Sequence, residues 1–468
     1  MSALAAVGVY VPVGRLPRAI IGAAWGTPAG RGERSVAAGD EDALTMAVAA
    51  GEDALRAAPV PRSAVGAVFF ATTTATYAEK LGAATIAAAL DLPDDARTLD
   101  VTDSLRCGLS ALRAAAEAVD AGAVAALVIA SDCRVPAPDT PAEQTAGDAA
   151  VALLLTREGE LATLDAWAQT HDDVTARWRQ GSDRIVRQFE PRLETLAAYG
   201  ASLPGACTRA LEAAGVDPGE LAHAALAGPD ARSPAAAARA AGIGPEAVVT
   251  APLDELGDAG AAAPGLALVR ALERATAGDR MLAGGAGDGA EVVVLTRGRA
   301  RLGEPLQAAL GRRRELRSYE AYLSARRLLL DDDGAGDLAV SPVAYWRRRR
   351  AILGRYGGRC RSCETVQFPP AATCVSCAAR DTLEPHRLQD SGTVYAHTTD
   401  HLIGGGYDQE GVARCVLELD GGGRFYTSMT DCDPRQVHIG MAVALTFRSR
   451  GGGGGFHNYG WKCRPLEG

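Results

Sequence analysis

Four of the ten cysteines in this 468-residue chain fall within 18 residues, as Cys360-x2-Cys363 and Cys374-x2-Cys377, with ten residues between the pairs. No other feature limits the fold of a stretch so tightly. Two knuckles at this spacing bring four thiolates tetrahedrally around one ion, which predicts a structural Zn²⁺ site in a zinc ribbon. Four protein ligands close the coordination sphere, so the metal is expected to hold structure and carry no chemistry. The competing readings are four unligated cysteines or a redox pair. Iron fits the same sulfur cage, with zinc the default occupant.

In this chain, no secretion signal that would put these thiols in an oxidising compartment is expected. Its start, Met-Ser-Ala-Leu-Ala-Ala-Val-Gly-Val-Tyr-Val-Pro, lacks a basic region before the apolar run and reads as a first strand. No run of 18 apolar residues occurs, so no transmembrane helix and no membrane partner are expected. A cytoplasmic, reducing location follows as an expectation, in which clustered cysteines mean metal or chemistry before disulfides. The net charge of −9 argues against a general nucleic-acid binder. The basic run Arg347–Arg350 is short and reads as a solvated or interdomain helix face.

The length suggests two to four domains. Over about the first 300 residues, short apolar runs alternate with Ala-rich amphipathic stretches, which predicts an α/β body. The strand candidates are Ala67–Phe70, Ala125–Ala130, Val151–Leu155, Ala224–Ala227 and Val292–Leu295. The helix candidates include Ala43–Ala57 and Leu109–Val119. Two halves look alike in outline, each ending in an apolar strand after a Gly- or Asp-rich turn, which hints at duplication. Residues 157–200 read as a polar insertion, residues 313–330 as a helix, Asp331–Asp337 as an acidic linker, and Ala344–Arg355 as a further helix. Short strands then follow at Gly392–Thr399, Gly411–Leu419, Arg424–Thr427 and Ala442–Arg448. Gly-rich turns separate them, which suggests a small β-barrel.

Cys107 lies where a strand ends and a helix begins, in Thr-Leu-Asp-Val-Thr-Asp-Ser-Leu-Arg-Cys-Gly-Leu-Ser-Ala. A helix N-terminus carries partial positive charge and free N–H groups, and both favour the thiolate. Such a thiolate can take an acyl group from a thioester. The plain alternative is a small buried cysteine at a helix start. Cys133, Cys207, Cys415, Cys432 and Cys463 read as packing residues.

Several of these segments resemble the archaeal and bacterial 3-hydroxy-3-methylglutaryl-CoA synthases of the thiolase superfamily, over roughly residues 4–330. The carrying segments are Val7-Gly8-Val9-Tyr10-Val11-Pro12, the element at Cys107, Gly147-Asp148-Ala149-Ala150, and Tyr319–Ala321 with Tyr322-Leu323. Pro229–Gly242 resembles the family's His-x-Pro-x-x-Lys region. The resemblance implies an acyl-S-Cys107 intermediate and a five-layered αβαβα thiolase-like body of two pseudo-equivalent halves, normally a homodimer. It also exposes departures. The family's catalytic histidine falls on Ala227, its lysine on Arg232, its asparagine on Asp258 and its catalytic glutamate on Thr73, with Glu79 the nearest acid. Condensation of an acetyl group needs a base and oxyanion donors. Thr73, Ala227 and Asp258 do not supply these in the usual way, so hydroxymethylglutaryl-CoA synthesis itself is not expected. Acyl transfer through Cys107 asks less, with Asp258, His171 or His223 as candidate bases.

Residues 340–468 resemble acyl-CoA-associated proteins in which a rubredoxin-like zinc ribbon precedes an OB-fold. The resemblance rests on the ribbon cysteines, Pro369-Pro370, Ser391-Gly392-Thr393-Val394, the Leu417–Gly423 hairpin and Ile439–Val443. It implies a module that supports acyl-CoA binding or assembly. The aromatic set Tyr395, Phe425, Tyr426, Phe456, Tyr459 and Trp461 is thin for a nucleic-acid platform. The expected organisation is 1–157 and 158–330 for the two thiolase-like halves, 331–350 for a linker and helix, 351–385 for the ribbon and 386–468 for the OB-fold. The expected function is a condensing acyltransferase of specialised metabolism, fed by a CoA or acyl-carrier-protein thioester. The alternatives are a thiolase-like retro-aldolase acting on a CoA thioester and a non-catalytic acyl-CoA-binding scaffold.

Overall fold

The computed structural model describes residues 2–102, 104–181, 183–329, 341–402, 411–453 and 455–466. The expected acidic linker at 331–337 lies outside them. Two compact units form. The first comprises Met1–Ala38, Asp42–Ala87 and Leu92–Tyr319. The second comprises Gly39–Glu41, Ala88–Asp91 and Glu320–Gly468.

The first unit repeats one motif twice. Its first half contains β1 (Ala3–Tyr10), β2 (Val65–Ala71), β3 (Arg97–Val101), β4 (Ala125–Asp132) and β5 (Ala149–Thr156). The second contains β6 (Ala162–His171), β7 (Leu221–Leu226), β8 (Val248–Val249), β9 (Arg280–Ala286) and β10 (Gly289–Arg297). The spatial orders are β3-β2-β4-β5-β1 and β8-β7-β9-β10-β6, the same order with every number raised by five. Directions match too. In both halves the second strand pairs in parallel with the third and fourth, and the last two ladders are antiparallel. The halves join through a short β1–β6 pairing at Ala3 and Leu4.

The helices repeat as well. α1 (Ala43–Arg56), α2 (Gly82–Ala89) and α3 (Cys107–Asp120) follow the first, second and third strands of one half. α4 (Leu203–Ala214), α5 (Arg232–Ala240) and α6 (Ala263–Arg274) do so in the other. α1 covers β1, β4 and β5, α4 covers β6 and β10, and α3 and α6 touch each other between the half-sheets. The result is five layers, αβαβα. Layering of this kind covers both faces of the sheet, so β4 and β5 are buried at every residue and read as continuous apolar runs. α1 begins at a reciprocal cap, in which Asp42 Oδ1 accepts from Thr45 N–H at 2.8 Å and Thr45 Oγ1 accepts from Asp42 N–H at 2.8 Å.

In the first unit, two sequence expectations need correction. Residues 157–200 are not wholly an insertion, because 162–171 form β6, the first strand of the second half. Only Ala162 and Leu164 are buried in it, and Thr163, Asp165, Gln169 and Thr170 interrupt the apolar positions, so its apolar signal is weak. Residues 313–330 are not one helix. Arg314–Glu315 pairs beside Gly14 and Arg15 as an added strand, and the helix is only Tyr319–Ala325. Tyr319 is fixed by its hydroxyl, which donates to the buried Glu143 Oε1 at 2.6 Å.

In the second unit, Ala344–Arg355 is not one helix but two short ones, Pro342–Arg347 and Arg349–Ile352. β11 (Tyr356–Cys360), β12 (Val366–Gln367) and β13 (Leu383–Arg387) make a three-stranded ribbon with β11 central. β14 (Ser391–Asp400), β15 (Val412–Leu419), β16 (Arg424–Ser428), β17 (Ala442–Gly453) and β18 (Phe456–Pro465) make the five-stranded OB sheet, ordered β16-β15-β14-β17-β18. A bridge between Met429 and Cys463 draws its two edges together into a nearly closed barrel. Phe447 anchors the barrel core against Tyr459 and Trp461, at 5.7 and 5.3 Å between ring centroids. Tyr459 and Trp461 are therefore core residues, not a stacking platform. Within the same unit, the fully buried Arg448 guanidinium meets Asp431 at 2.7 Å, Glu41 at 3.1 Å and Asp40 at 3.7 Å, and Lys462 completes the set at 2.8 Å from Asp40.

Candidate functional site

Cys107 opens α3, a 14-residue helix whose N-cap, Arg106, gives no side-chain cap. The turn before it is held from two sides. Cys107 N–H donates to Ser104 O at 3.0 Å, and Ser104 Oγ donates to Gly287 O at 2.8 Å. Cys107 is buried within the main core cluster. Its neighbour Gly108 has no room for a side chain, since a Cβ there would stand 2.5 Å from Ala261 O. That contact sets the first turn of α3 against the 257–262 loop, the equivalent turn of the second half.

Asp258 sits in that loop and is buried. Its Oδ2 accepts from Arg134 Nη2 at 2.7 Å and lies 3.9 Å from Arg177 Nη1. Its Oδ1 accepts from Gly260 N–H at 3.0 Å. Burial raises the Asp258 pKa, but Arg134 and Arg177 outweigh it, so the carboxyl lies below the usual carboxylate range. Arg134 responds in the opposite sense. Burial lowers it, but Asp258 and Asp132 raise it further. Gly260 needs both its positive φ of 59° and its missing side chain, because a Cβ would meet Asp132 Oδ2 at 2.3 Å.

Thr73 is tied to Asp132, the buried last residue of β4. Asp132 accepts from Thr73 N–H at 2.7 Å, Thr73 Oγ1 at 2.8 Å, Thr72 Oγ1 at 3.0 Å, Thr74 Oγ1 at 3.1 Å and Ala261 N–H at 2.8 Å. Five donors on two oxygens make Asp132 a staple between the β2 and α6 turns. Thr73 is engaged as a donor and has no base to offer. Ala227 follows β7, with its N–H donating to Gly284 O at 3.0 Å.

These turns enclose a pocket lined by Leu105, Glu194, Tyr199, Ala227, Gly228, Pro229, Asp258, Gly260 and residues of the α6 and β9–β10 turns. Two of the predicted positions, Ala227 and Asp258, thus share one cavity with the turn that leads into Cys107. Arg232 does not join them. It is exposed at the first residue of α5, where Asp230 Oδ1 accepts its N–H at 2.8 Å. His171 is exposed at the end of β6, His223 lies within β7, and neither lines the pocket.

Sequence reasoning missed the groups that supply the pocket's polarity. Arg177, Glu194 and Tyr199 all come from the polar stretch 172–200. Arg177 pairs with Glu194 at 3.1 Å, and Arg179 from the same hairpin donates to Thr73 O at 3.0 Å. Tyr199 lies in a π-helix, Thr195–Ser202, a form that recurs at functional sites. Asp132 and Arg134 ended an apolar run as Ser-Asp-Cys-Arg, the one available signal of a strand end facing a site. Asp148 is a backbone staple, accepting from Ala37 N–H at 2.8 Å.

The ribbon cysteines converge. Their sulfurs all lie within 4.8 Å of one another, with Cys360–Cys377 at 3.7 Å and Cys363–Cys374 at 3.6 Å. A tetrahedron with Zn–S bonds of about 2.3 Å has edges of about 3.8 Å, so the cage fits zinc. The two knuckles are built alike. Cys360 N–H donates to Thr365 O at 2.9 Å and Glu364 N–H to Cys360 O at 2.8 Å. Cys374 N–H donates to Ala379 O at 2.9 Å and Ala378 N–H to Cys374 O at 3.0 Å. Glu364 and Ala378, one step past each pair, are left-handed, with φ of 60° and 59°. Outer partners orient the sulfurs, as good metal sites require. Thr382 Oγ1 lies 3.3 Å from Cys360 Sγ, and Ser376 N–H donates to Cys374 Sγ at 3.4 Å. The Thr382 hydrogen bond lowers the Cys360 thiol to about 6. The site is structural, with all four positions taken by protein.

Residues 356–384 match the family described as the ChsH2 rubredoxin-like zinc ribbon domain, and residues 386–448 match the ChsH2 C-terminal OB-fold domain. A DUF35 domain-containing scaffold protein of Methanocaldococcus jannaschii is 31% identical over 128 residues, covering 27% of this chain and 91% of that protein. Through its C-terminal part, this chain belongs to the DUF35 family. The DUF35 module is joined to a body similar to hydroxymethylglutaryl-CoA synthase of Aeropyrum pernix, 29% identical over 344 residues, covering 69% of this chain and 93% of the relative. The solved structure of MvaS in complex with 3-hydroxy-3-methylglutaryl coenzyme A shares the fold, with a TM-score of 0.63 at 24% identity over 73% of this chain and 94% of that one. A thiolase-like body fused to a DUF35 ribbon and OB-fold is therefore the architecture of this chain.

Proposed function

We propose that the chain is a condensing acyltransferase that takes an acyl group from a CoA or acyl-carrier-protein thioester onto Cys107. Cys107 Sγ attacks the thioester carbonyl, and the new C–S bond forms as the old one breaks. The pantetheine thiol leaves with the proton that Cys107 gave up, and acyl-S-Cys107 remains for transfer to an acceptor. One observation carries this reading: Cys107 begins an uncapped helix whose leading turn lines a pocket shared with Asp258 and Ala227. The similarity of the body to synthases of hydroxymethylglutaryl-CoA supports it. Arg232, exposed at the start of α5, supplies a cation for the phosphate end of the thioester. The second proposed partner is another copy of the chain, and light scattering that reads a dimer mass would support it while a monomer mass would overturn it.

The chemistry differs from that of the relatives. The histidine position is alanine, and the acids nearest the pocket, Asp258, Asp132 and Glu194, all serve arginines or backbone donors. A carboxylate so occupied is a weak base. The reaction that fits is one whose acceptor needs little deprotonation, within specialised metabolism. A non-catalytic scaffold is the second reading, favoured by the engagement of Thr73 with Asp132. Release of free CoA from a panel of acyl-CoAs separates the two. Release that depends on Cys107 supports transfer, binding without release supports the scaffold, and cleavage to a shortened acyl-CoA with no free CoA, persisting in Cys107→Ala, supports a retro-aldolase.

A further inference from the structure

The pocket has lost its histidine, but it has not lost every donor. Tyr199 is 5% exposed and lines the cavity beside Ala227, Gly228 and Asp258. Its ring is so close to the backbone that a Cβ on Gly228 would come within 3.2 Å of Tyr199 Cε1. Among the described residues its hydroxyl has no hydrogen-bond partner. A buried phenol is ordinarily paired, so an unpaired one facing a cavity points to a ligand. The residues around it explain why the aim is fixed. The π-helix Thr195–Ser202 carries Tyr199 inward, and the preceding Glu194 is anchored to Arg177 at 3.1 Å.

We infer that Tyr199 is the hydrogen-bond donor to the substrate's carbonyl oxygen, taking over the place that Ala227 leaves empty. The inference rests on the acyl-thioester reading of the pocket. The ligand class is a thioester or ketone carbonyl, whose oxygen gains negative charge as carbon is attacked. Burial, Asp258 and Glu194 all raise the phenol's pKa, so the proton stays on oxygen and is available for donation. No proton leaves Tyr199 in the step. The O–H···O bond strengthens as the oxyanion forms and relaxes when the carbonyl returns. A preorganised donor of this kind is worth about 10²–10³ in rate.

The test uses full-length protein and a panel of acyl-CoAs labelled with ¹³C at the thioester carbonyl. In Cys107→Ala, which cannot be acylated, difference infrared spectroscopy reads the carbonyl stretch of the bound thioester. The expected result is a shift to lower frequency that disappears in Cys107→Ala/Tyr199→Phe at unchanged affinity. Phenylalanine keeps the packing on Gly228, and an unchanged Tm verifies this. In the Cys107 background, Tyr199→Phe is expected to slow acylation about 100-fold with little effect on KM. A carbonyl stretch that does not depend on Tyr199, or acylation within twofold of wild type, overturns the inference. A Tyr199-dependent shift without acylation of the wild type overturns the nucleophile reading alone, and failure of every panel member to bind overturns both.

Discussion

Gly108 stands between Cys107 and the turn that carries Asp258, and its only useful property is what it lacks. A methyl group there would press on Ala261 O from 2.5 Å. Gly108→Ala is expected to cost about 1–3 kcal/mol by overpacking, despite alanine's better helix propensity, as read by urea titration. Asp258 gives a sharper case. Asp258→Asn leaves Arg134 buried without its charge partner, which typically costs about 3–5 kcal/mol. The sign of the pH effect follows from its lowered pKa. A carboxyl that is more acidic folded than unfolded stabilises fully above its unfolded value of about 3.9, and the contribution fades as pH falls through the folded value. Wild type should therefore lose stability below about pH 4 more steeply than Asp258→Asn, and parallel acid limbs would contradict the pairing. Individual site residues were only partly legible in the sequence. Cys107 was marked by its strand-to-helix setting, while Tyr199 and Arg177 were hidden in a polar stretch that has no periodicity to announce which side chains turn inward.

At the scale of elements, the two cysteine knuckles were the most readable part, because metal geometry leaves so few spacings. The folding of β11–β13 depends on that metal, which contributes on the order of 10 kcal/mol or more in such sites. Chelation should raise hydrogen exchange across 356–387 to near-unfolded rates while β4 and β5 stay protected. Ribbon protection that survives complete metal removal would contradict this. Ala378 adds a smaller test. It holds a left-handed conformation that costs an alanine about 1–2 kcal/mol, so Ala378→Gly should raise the stability of the metal-bound ribbon by about 1 kcal/mol. Continuous buried strands such as β4 were legible from their apolar runs. β6 was not, because Thr163, Asp165, Gln169 and Thr170 break its pattern, and Arg314–Glu315 is a strand only because Gly14 and Arg15 offer it a partner.

For the whole molecule, the duplication is the feature that sequence could only hint at. Strand order and direction repeat between the halves, while the sequence signals it only through a Gly- or Asp-rich turn before an apolar strand in each, since small residues can satisfy the same packing in many ways. Duplication also places two equivalent helix starts together: α3 with its cysteine and α6 with the Asp258 turn. The second unit is unified by charge as well as by its barrel. Arg448→Met would leave Asp40, Glu41 and Asp431 short of a cation and should lower Tm by several degrees. The central proposal is that this body, similar to hydroxymethylglutaryl-CoA synthases, transfers acyl groups through one covalent residue. Peptide mass mapping after incubation with acyl-CoAs tests it most directly. The predicted result is an acyl mass increment on the peptide containing Cys107, abolished in Cys107→Ala. An unmodified Cys107 in protein that binds and consumes the thioester would contradict it.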